Sequence, residues 1–194
     1  LPNNRIYLQN NFGASFEAHG LRMNCIVGQY TTINNGLIKI VPYGNMLLDG
    51  FSIQNFTTSL GFQILESATS AENQGLTLVN SSVIGCTNGL FCINSTGGFF
   101  PLTFSIIKGN IFGSQTSRCI GILSSINPID DLIISGNEFS PAAASTAISI
   151  ETRTSALSGS GFVIDSNTIS GSYVTAGILI TQTIGAPGNL YGSI

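Results

Sequence analysis

Tryptophan is absent from this 194-residue chain, histidine occurs once, and charged side chains make up only 8% of it, against roughly 25% in ordinary soluble domains. With a single histidine and four cysteines, none in a Cys-x-x-Cys pair, no zinc-ligand set can be assembled, and neither a metal nor any other cofactor is expected. Six Lys/Arg against nine Asp/Glu give a net charge of −3, with no basic cluster. Phosphate neutralisation needs several convergent cations, so the composition argues against nucleic-acid binding. No apolar run approaches the roughly 18 residues of a membrane-spanning helix, so membrane insertion is not expected. Apolar residues at three- and four-residue spacing over ten or more positions, the mark of an amphipathic helix, are also missing. Neither an initiator Met nor a signal peptide opens "LPNNRIYL", and the chain stops at "LYGSI". It reads as a segment cut from a longer polypeptide.

What is present is a hydrophobic content of 43%, spread over many short runs. These runs are rich in Ile, Val, Phe and Thr and are punctuated by Gly, Ser, Asn and Thr, which is an all-β composition. A surface of Ser, Thr, Asn and Gly suits hydroxyl-rich partners such as glycans, and equally suits a solubilising coat. Cys92 and Cys119 stand in the apolar runs "GLFCIN" and "RCIGIL". That context places buried thiols ahead of disulfides for Cys25, Cys86, Cys92 and Cys119, with the pairing left open. The sequons at Asn55, Asn80 and Asn94 are about as many as chance supplies in so Asn- and Ser-rich a chain.

The runs repeat. "SIIKGNIF" (105–112), "IISGNEF" (133–139) and "FVIDSNTI" (162–169) share an Asn at a break between two apolar pieces. Aligning Phe51, Ser82, Asn110, Asn137 and Asn167 gives spacings of 31, 28, 27 and 30. A further series follows: "GLIKI", "GFQIL", "GLFCI", "CIGIL", "AISI" and "AGILI", beginning at residues 36, 61, 89, 119, 147 and 176. Each period of about 27–31 residues thus holds three short strands. Length variation is concentrated in the connection after the third, as on one face of a solenoid. A hairpin is disfavoured because the second strand has only two or three residues and the turn order is Gly-Asn, not Asn-Gly. Coiling instead pairs every strand in parallel with its equivalents above and below. Asn suits the bend because it tolerates the left-handed conformation and its amide can bond along a stack. The reading predicts a turn ladder of Ser82, Asn110, Asn137 and Asn167. It also predicts interior columns Leu78-Ile106-Ile133-Val163 and Ile84-Phe112-Phe139-Ile169, with Glu138 facing outward.

The three-strand rungs, the Asn bend and "LLDGFSIQN" resemble the right-handed parallel β-helix of the pectin-lyase-like superfamily, most nearly a bacteriophage tailspike or tail-fibre segment. The resemblance implies an all-β, single-stranded, right-handed parallel β-helix. It spans 24–181, after an N-terminal strand or cap over 1–23 and before a tail, or the start of a next element, over 182–194. It implies nothing definite about function, since that superfamily includes polysaccharide lyases and hydrolases, tailspikes, epimerases and adhesins.

Catalytic candidates are weak and scattered. Glycoside hydrolysis needs two carboxyl groups about 5–9 Å apart. Asp130-Asp131 are the only adjacent acids, following Asn127-Pro128 in what reads as a polar loop. Asp165 shares a column with Ser135 and Lys108; Glu138 follows the Asn bend with Thr168 stacked on it; Glu151 follows a third strand, two residues before Arg153. The Asn-x-Asp and Arg-x-Lys elements of polygalacturonase-like members are missing, as is the acid cluster a calcium-dependent lyase would need. His19 could pair with Glu17 on one strand face, though an exposed or capping role suits it better. Phe99 and Phe100 in "GGFFPL" suggest a subunit contact. Thr57, Thr87, Thr152 and Thr181 are not expected to stack in one column, which sets aside an ice-binding ladder.

The expected function is a structural or host-attachment β-helix of a viral tailspike- or fibre-like protein. It would be extracellular or on the virion, a homotrimer or part of a larger assembly, with a cell-surface polysaccharide as the ligand class. The competing readings are an extracellular polysaccharide lyase or glycoside hydrolase with catalytic acids partly elsewhere, and a bacterial surface adhesin stalk. The corners hold the fold together on this view, and function would sit in the variable third connections or between chains.

Overall fold

The computed structural model describes residues 6–9, 16–24, 36–41, 44–57, 60–65, 74–94, 102–124, 129, 131–142, 146–152, 161–171, 176–182 and 192–193. Everything regular among them is β-strand, and no helix is long and apolar enough to cross a membrane. The strands form three parallel sheets, entered in turn by each rung. The first sheet holds β2 (Phe16–His19), β5 (Gly44–Asp49), β8 (Gln74–Val79), β11 (Ile106–Lys108), β14 (Leu132–Ser135), β17 (Phe162–Asp165) and β20 (Gly192–Ser193). The second holds β3 (Arg22–Asn24), β6 (Ser52–Gln54), β9 (Ser82–Ile84), β12 (Ile111–Gly113), β15 (Glu138–Ser140) and β18 (Thr168–Ile169). The third holds β1 (Ile6–Gln9), β4 (Gly36–Val41), β7 (Leu60–Leu65), β10 (Asn88–Asn94), β13 (Arg118–Ser124), β16 (Thr146–Thr152) and β19 (Ile178–Gln182). The chain is therefore a parallel β-solenoid with three strands per rung, and every third-strand run identified in the sequence lies in one sheet.

Coiling satisfies the backbone between rungs and stacks like residues on like. In the third sheet, register places Ile38, Phe62, Leu90, Ile120, Ile148 and Ile178 in one column, and Ile40, Ile64, Cys92, Ile122, Ile150 and Ile180 in the next. Nearly all of these are buried. In the second sheet Val83, Phe112, Phe139 and Ile169 form the column. The rings of Phe112 and Phe139 stack there at 5.5 Å and 12°, an aromatic contact worth about 1 kcal/mol beyond its burial.

Two details of register differ from the sequence reading. In the first sheet the inward column is Leu78, Ile107, Ile134 and Ile164, whereas Ile106, Ile133 and Val163 face outward, the last two 37% and 39% exposed. A one-residue slip turns every side chain to the opposite face, and the pairs Ile106-Ile107 and Ile133-Ile134 offer no polar residue to fix the choice. The same slip applies at β9, where Val83 rather than Ile84 lies beneath Phe112, and Ser81 rather than Ser82 enters the turn ladder.

The ladder is otherwise as expected, and it is buried at Asn110 and Asn137. The backbone amides of Phe51, Ser81, Asn110 and Asn137 donate in turn to Ser81 Oγ, Asn110 Oδ1, Asn137 Oδ1 and Asn167 Oδ1, at 2.9–3.1 Å. The left-handed conformation, however, belongs to the residue before each ladder position. Gly50, Asn80, Gly109, Gly136 and Ser166 have φ between 49° and 70°, while the ladder Asn residues do not. The preceding residue makes the corner, and the Asn side chain staples it to the rungs on either side.

Candidate functional site

The structure disperses the acids singled out in the sequence. Asp131 precedes β14 at a left-handed corner with φ 47°, in the place that Phe104 and Gly161 take on adjoining rungs. Asp165 closes β17 on the next rung, beside Ser135 and two rungs from Lys108, as expected. Four residue steps along the strand separate the levels of Asp131 and Asp165, roughly 13 Å, too far for a hydrolytic pair. Glu138 opens β15 in the second sheet, outward and in register with Thr168, also as expected. Glu151 lies within β16 of the third sheet, not beyond it, and its Oε1 accepts from Arg118 Nη2 at 2.6 Å. Ser149 Oγ reaches the same oxygen at 3.3 Å. Glu151 is thus engaged by a cation one rung below on the outer face. Asp130, Arg153, Cys25, Phe99 and Phe100 lie outside the described residues.

A different set of polar residues converges at the corner between the first and second sheets, on the early rungs. Glu17 and His19 point the same way from β2, as strand alternation requires, with Glu17 Oε2 3.5 Å from His19 Nε2. On the next rung Asp49 is in register with His19, its Oδ2 3.4 Å from His19 Nδ1. On the rung after that, Asn80 Nδ2 donates to Asp49 Oδ1 at 2.9 Å. The Asn80 bond, with smaller contributions from His19, holds the Asp49 carboxyl below its ordinary pKa of 3.8. The histidine contacts are long and more than a third exposed, so as ion pairs they add little.

Asn80 also lines a depression of about 480 Å³ that opens at this corner. Arg22, Ser52 and Ser82 line its wall from one outward column of the second sheet, together with Gln54. Buried Phe51 and half-buried Met23 form its apolar base. Arg22 is exposed and has no ion-pair partner among the described residues. Gly50, at φ 70°, leaves the rim without a side chain. The arrangement supplies hydroxyls, amides and one guanidinium over a small apolar floor, which suits holding a hydroxyl-rich ligand. Among the described residues that line it, no nucleophile stands beside a base.

Of this set the sequence reading found only Glu17 and His19. Asp49 and Asn80 carry a signal that was available, since Asp49 follows His19 by 30 residues and Asn80 follows Asp49 by 31, one solenoid period each. Arg22 and Gln54 carry none, because a lone cation and a lone amide on short strands resemble any solvated side chain. The threonines do not form a four-membered ladder, although Thr57 and Thr87 are stacked, with Thr87 Oγ1 donating to Thr57 O at 3.1 Å. Cys86, Cys92 and Cys119 are buried. Comparison of the chain with family models, curated proteins and solved structures finds no match.

Proposed function

We propose that the chain is a structural, host-attachment β-solenoid of a viral tailspike- or fibre-like protein, working outside the cell or on the virion, which holds a surface polysaccharide without cleaving it. The observation that carries this reading is the contrast between the two sets of polar residues. Asp131, Glu138, Glu151 and Asp165 are spread over three sheets, and Glu151 is occupied by Arg118. Hydroxyl, amide and guanidinium groups instead gather around one shallow depression. Dispersed acids are poor machinery for glycosidic cleavage, whereas a polar wall on a rigid parallel scaffold suits recognition of hydroxyls. The pectin-lyase-like resemblance supports polysaccharide as the ligand class by fold analogy alone.

The test is a panel of bacterial and plant polysaccharides, scored both for retention by the immobilised protein and for release of reducing or unsaturated ends. Retention without release is expected, and Arg22→Ala should weaken it. Release that scales with protein concentration would replace this reading with a lyase or hydrolase.

A further inference from the structure

We propose that the outer face of the first sheet is a self-association surface, on which a second copy of this chain packs with its solenoid axis reversed. The face carries two outward columns. One runs Leu47, Thr77, Ile106, Ile133, Val163, and the other Asp49, Val79, Lys108, Ser135, Asp165. The first is an apolar stripe for most of its length, and Ile133 and Val163 are among the exposed large hydrophobic residues. In the second, Lys108 and Asp165 lie one rung to either side of Ser135, both exposed and neither with an ion-pair partner among the described residues.

These positions are complementary to themselves under one operation. A two-fold axis parallel to β14 and lying in the interface reverses the order of rungs while leaving each column facing its own copy. Ile133 then meets Ile133 of the second copy, Ile106 meets Val163, and Ser135 meets Ser135. Lys108 meets Asp165, and by symmetry Asp165 meets Lys108, as an isologous contact requires. A two-fold axis along the solenoid instead lays the charged column over the apolar one, so Lys108 would be set against Ile106. A parallel three-fold bundle closing on this face would bring three copies of Lys108 to one level and three of Asp165 to another. Of these three arrangements the reversed pair alone sets the apolar column on itself and Lys108 against Asp165, with exposed Asp131, two residues before Ile133, facing its own copy at the edge of the contact.

The contact is modest. Centred on β14, the two-fold leaves β5 unpaired and takes in the five strands β8 to β20, which at about 4.8 Å spacing and four residues of strand length cover at most roughly 300 Å² per copy, below the roughly 800 Å² per partner of a standard stable interface. The association is therefore weak and reversible, and it leaves the depression beside Arg22 uncovered. The same stripe accounts for the outward-facing isoleucines, which a purely solvated sheet face does not need.

Sedimentation equilibrium on the full chain, from about 10 µM to about 1 mM, is the test. A monomer–dimer equilibrium is expected. Lys108→Glu and Asp165→Lys should each weaken it by about tenfold, since each sets two like-charge pairs against one another, and the double variant should recover it. Ile133→Asp, on the axis, should abolish it. All three positions are on the outer face, and unchanged urea midpoints would show that folding is intact. A species that is monomeric throughout, a trimer, or a double variant no better than either single one would overturn the proposal.

Discussion

Asn137 Nδ2 donates to Asn167 Oδ1 at 2.9 Å, and the backbone amide of Asn137 donates to that same oxygen at 3.0 Å. One side-chain oxygen on one rung therefore receives two hydrogen bonds from the rung before it. The unit repeats a rung earlier, where Asn137 Oδ1 accepts from the backbone amide and Nδ2 of Asn110 at 2.9 and 3.0 Å. Each Asn amide also donates to a carbonyl of the rung before it, that of Leu78, Ile107 or Ile134. At a corner the strand-to-strand ladder is interrupted, and buried backbone groups would otherwise be orphaned. The Asn column restores the missing partners.

Replacing Asn137 with Ala should accordingly destabilise the chain by about 2–4 kcal/mol, because it leaves the Asn110 amide and the Ile107 carbonyl buried without these partners. Asn167→Ala should cost less, since Asn167 is only half-buried and lies at the end of the described ladder. Urea denaturation reads both values, and equal midpoints for the two variants would contradict a ladder whose strength depends on burial.

The architecture was legible because period, turn residue and strand length agreed with one another: Asn110, Asn137 and Asn167 are each followed by a two- or three-residue strand and then by an Ile-rich one. Facing was not legible where both members of a pair are apolar, as at Ile133-Ile134, since alternation then carries no sign. The Ser81–Ser82 ambiguity is of the same kind, two identical residues of which only one enters the ladder. Buried Gln115 could not be anticipated either, with Nε2 donating to Val83 O at 2.7 Å and Oε1 3.2 Å from Cys119 Sγ. An amide in a polar-looking "GSQTS" stretch gives no hint of closing the next corner. The polar depression depends on residues two rungs apart in the chain, and nothing local connects Arg22 with Ser82.

Gly89 separates packing from backbone strain. A Cβ there would stand 2.5 Å from Phe112 Cδ1 and 2.6 Å from the Cys119 carbonyl oxygen. The ring is held by the Phe139 stack and the carbonyl belongs to β13, so neither yields readily. Gly89→Ala should cost about 1–3 kcal/mol or more through overpacking. At Gly136 a Cβ would have nothing within 4 Å, but φ is 60°, so Gly136→Ala carries only the left-handed penalty of about 1–2 kcal/mol. Compensation by trimming Phe112 to Leu should reduce the Gly89→Ala cost and leave the Gly136→Ala cost unchanged, which a double-mutant cycle measures.

Burial pushes the thiols of Cys86 and Cys119 up to about 12 from 9.0. Neither should react with an aromatic disulfide at pH 8 in the native state, and both should react on unfolding. The sign of the linked stability follows from which state holds its proton longer. Between about pH 9 and 12 the unfolded chain loses these protons while the folded chain keeps them, so stability falls as pH rises through that window. A Cys86→Ala/Cys119→Ala variant should show a shallower alkaline decline in its urea midpoint, and an identical slope would mean that the thiols titrate alike in both states.

Asp49 works in the opposite direction. Its carboxyl is held below 3.8 chiefly by the Asn80 amide, against a smaller opposing effect of burial and with help from the His19 hydrogen bond and charge. A depressed folded-state pKa stabilises the folded form above the unfolded value, and that stabilisation is lost as pH falls through the folded pKa. Carbon-detected NMR titration of the Asp49 carboxyl should find its midpoint below 3.8 in the wild type. Asn80→Ala should raise the midpoint more than His19→Ala does, because the hydrogen bond to Asn80 at 2.9 Å is shorter than the contact to His19 at 3.4 Å. The reverse order would make the His19 charge the controlling partner, and it would unlink Asp49 from the Asn80 wall of the depression beside Arg22.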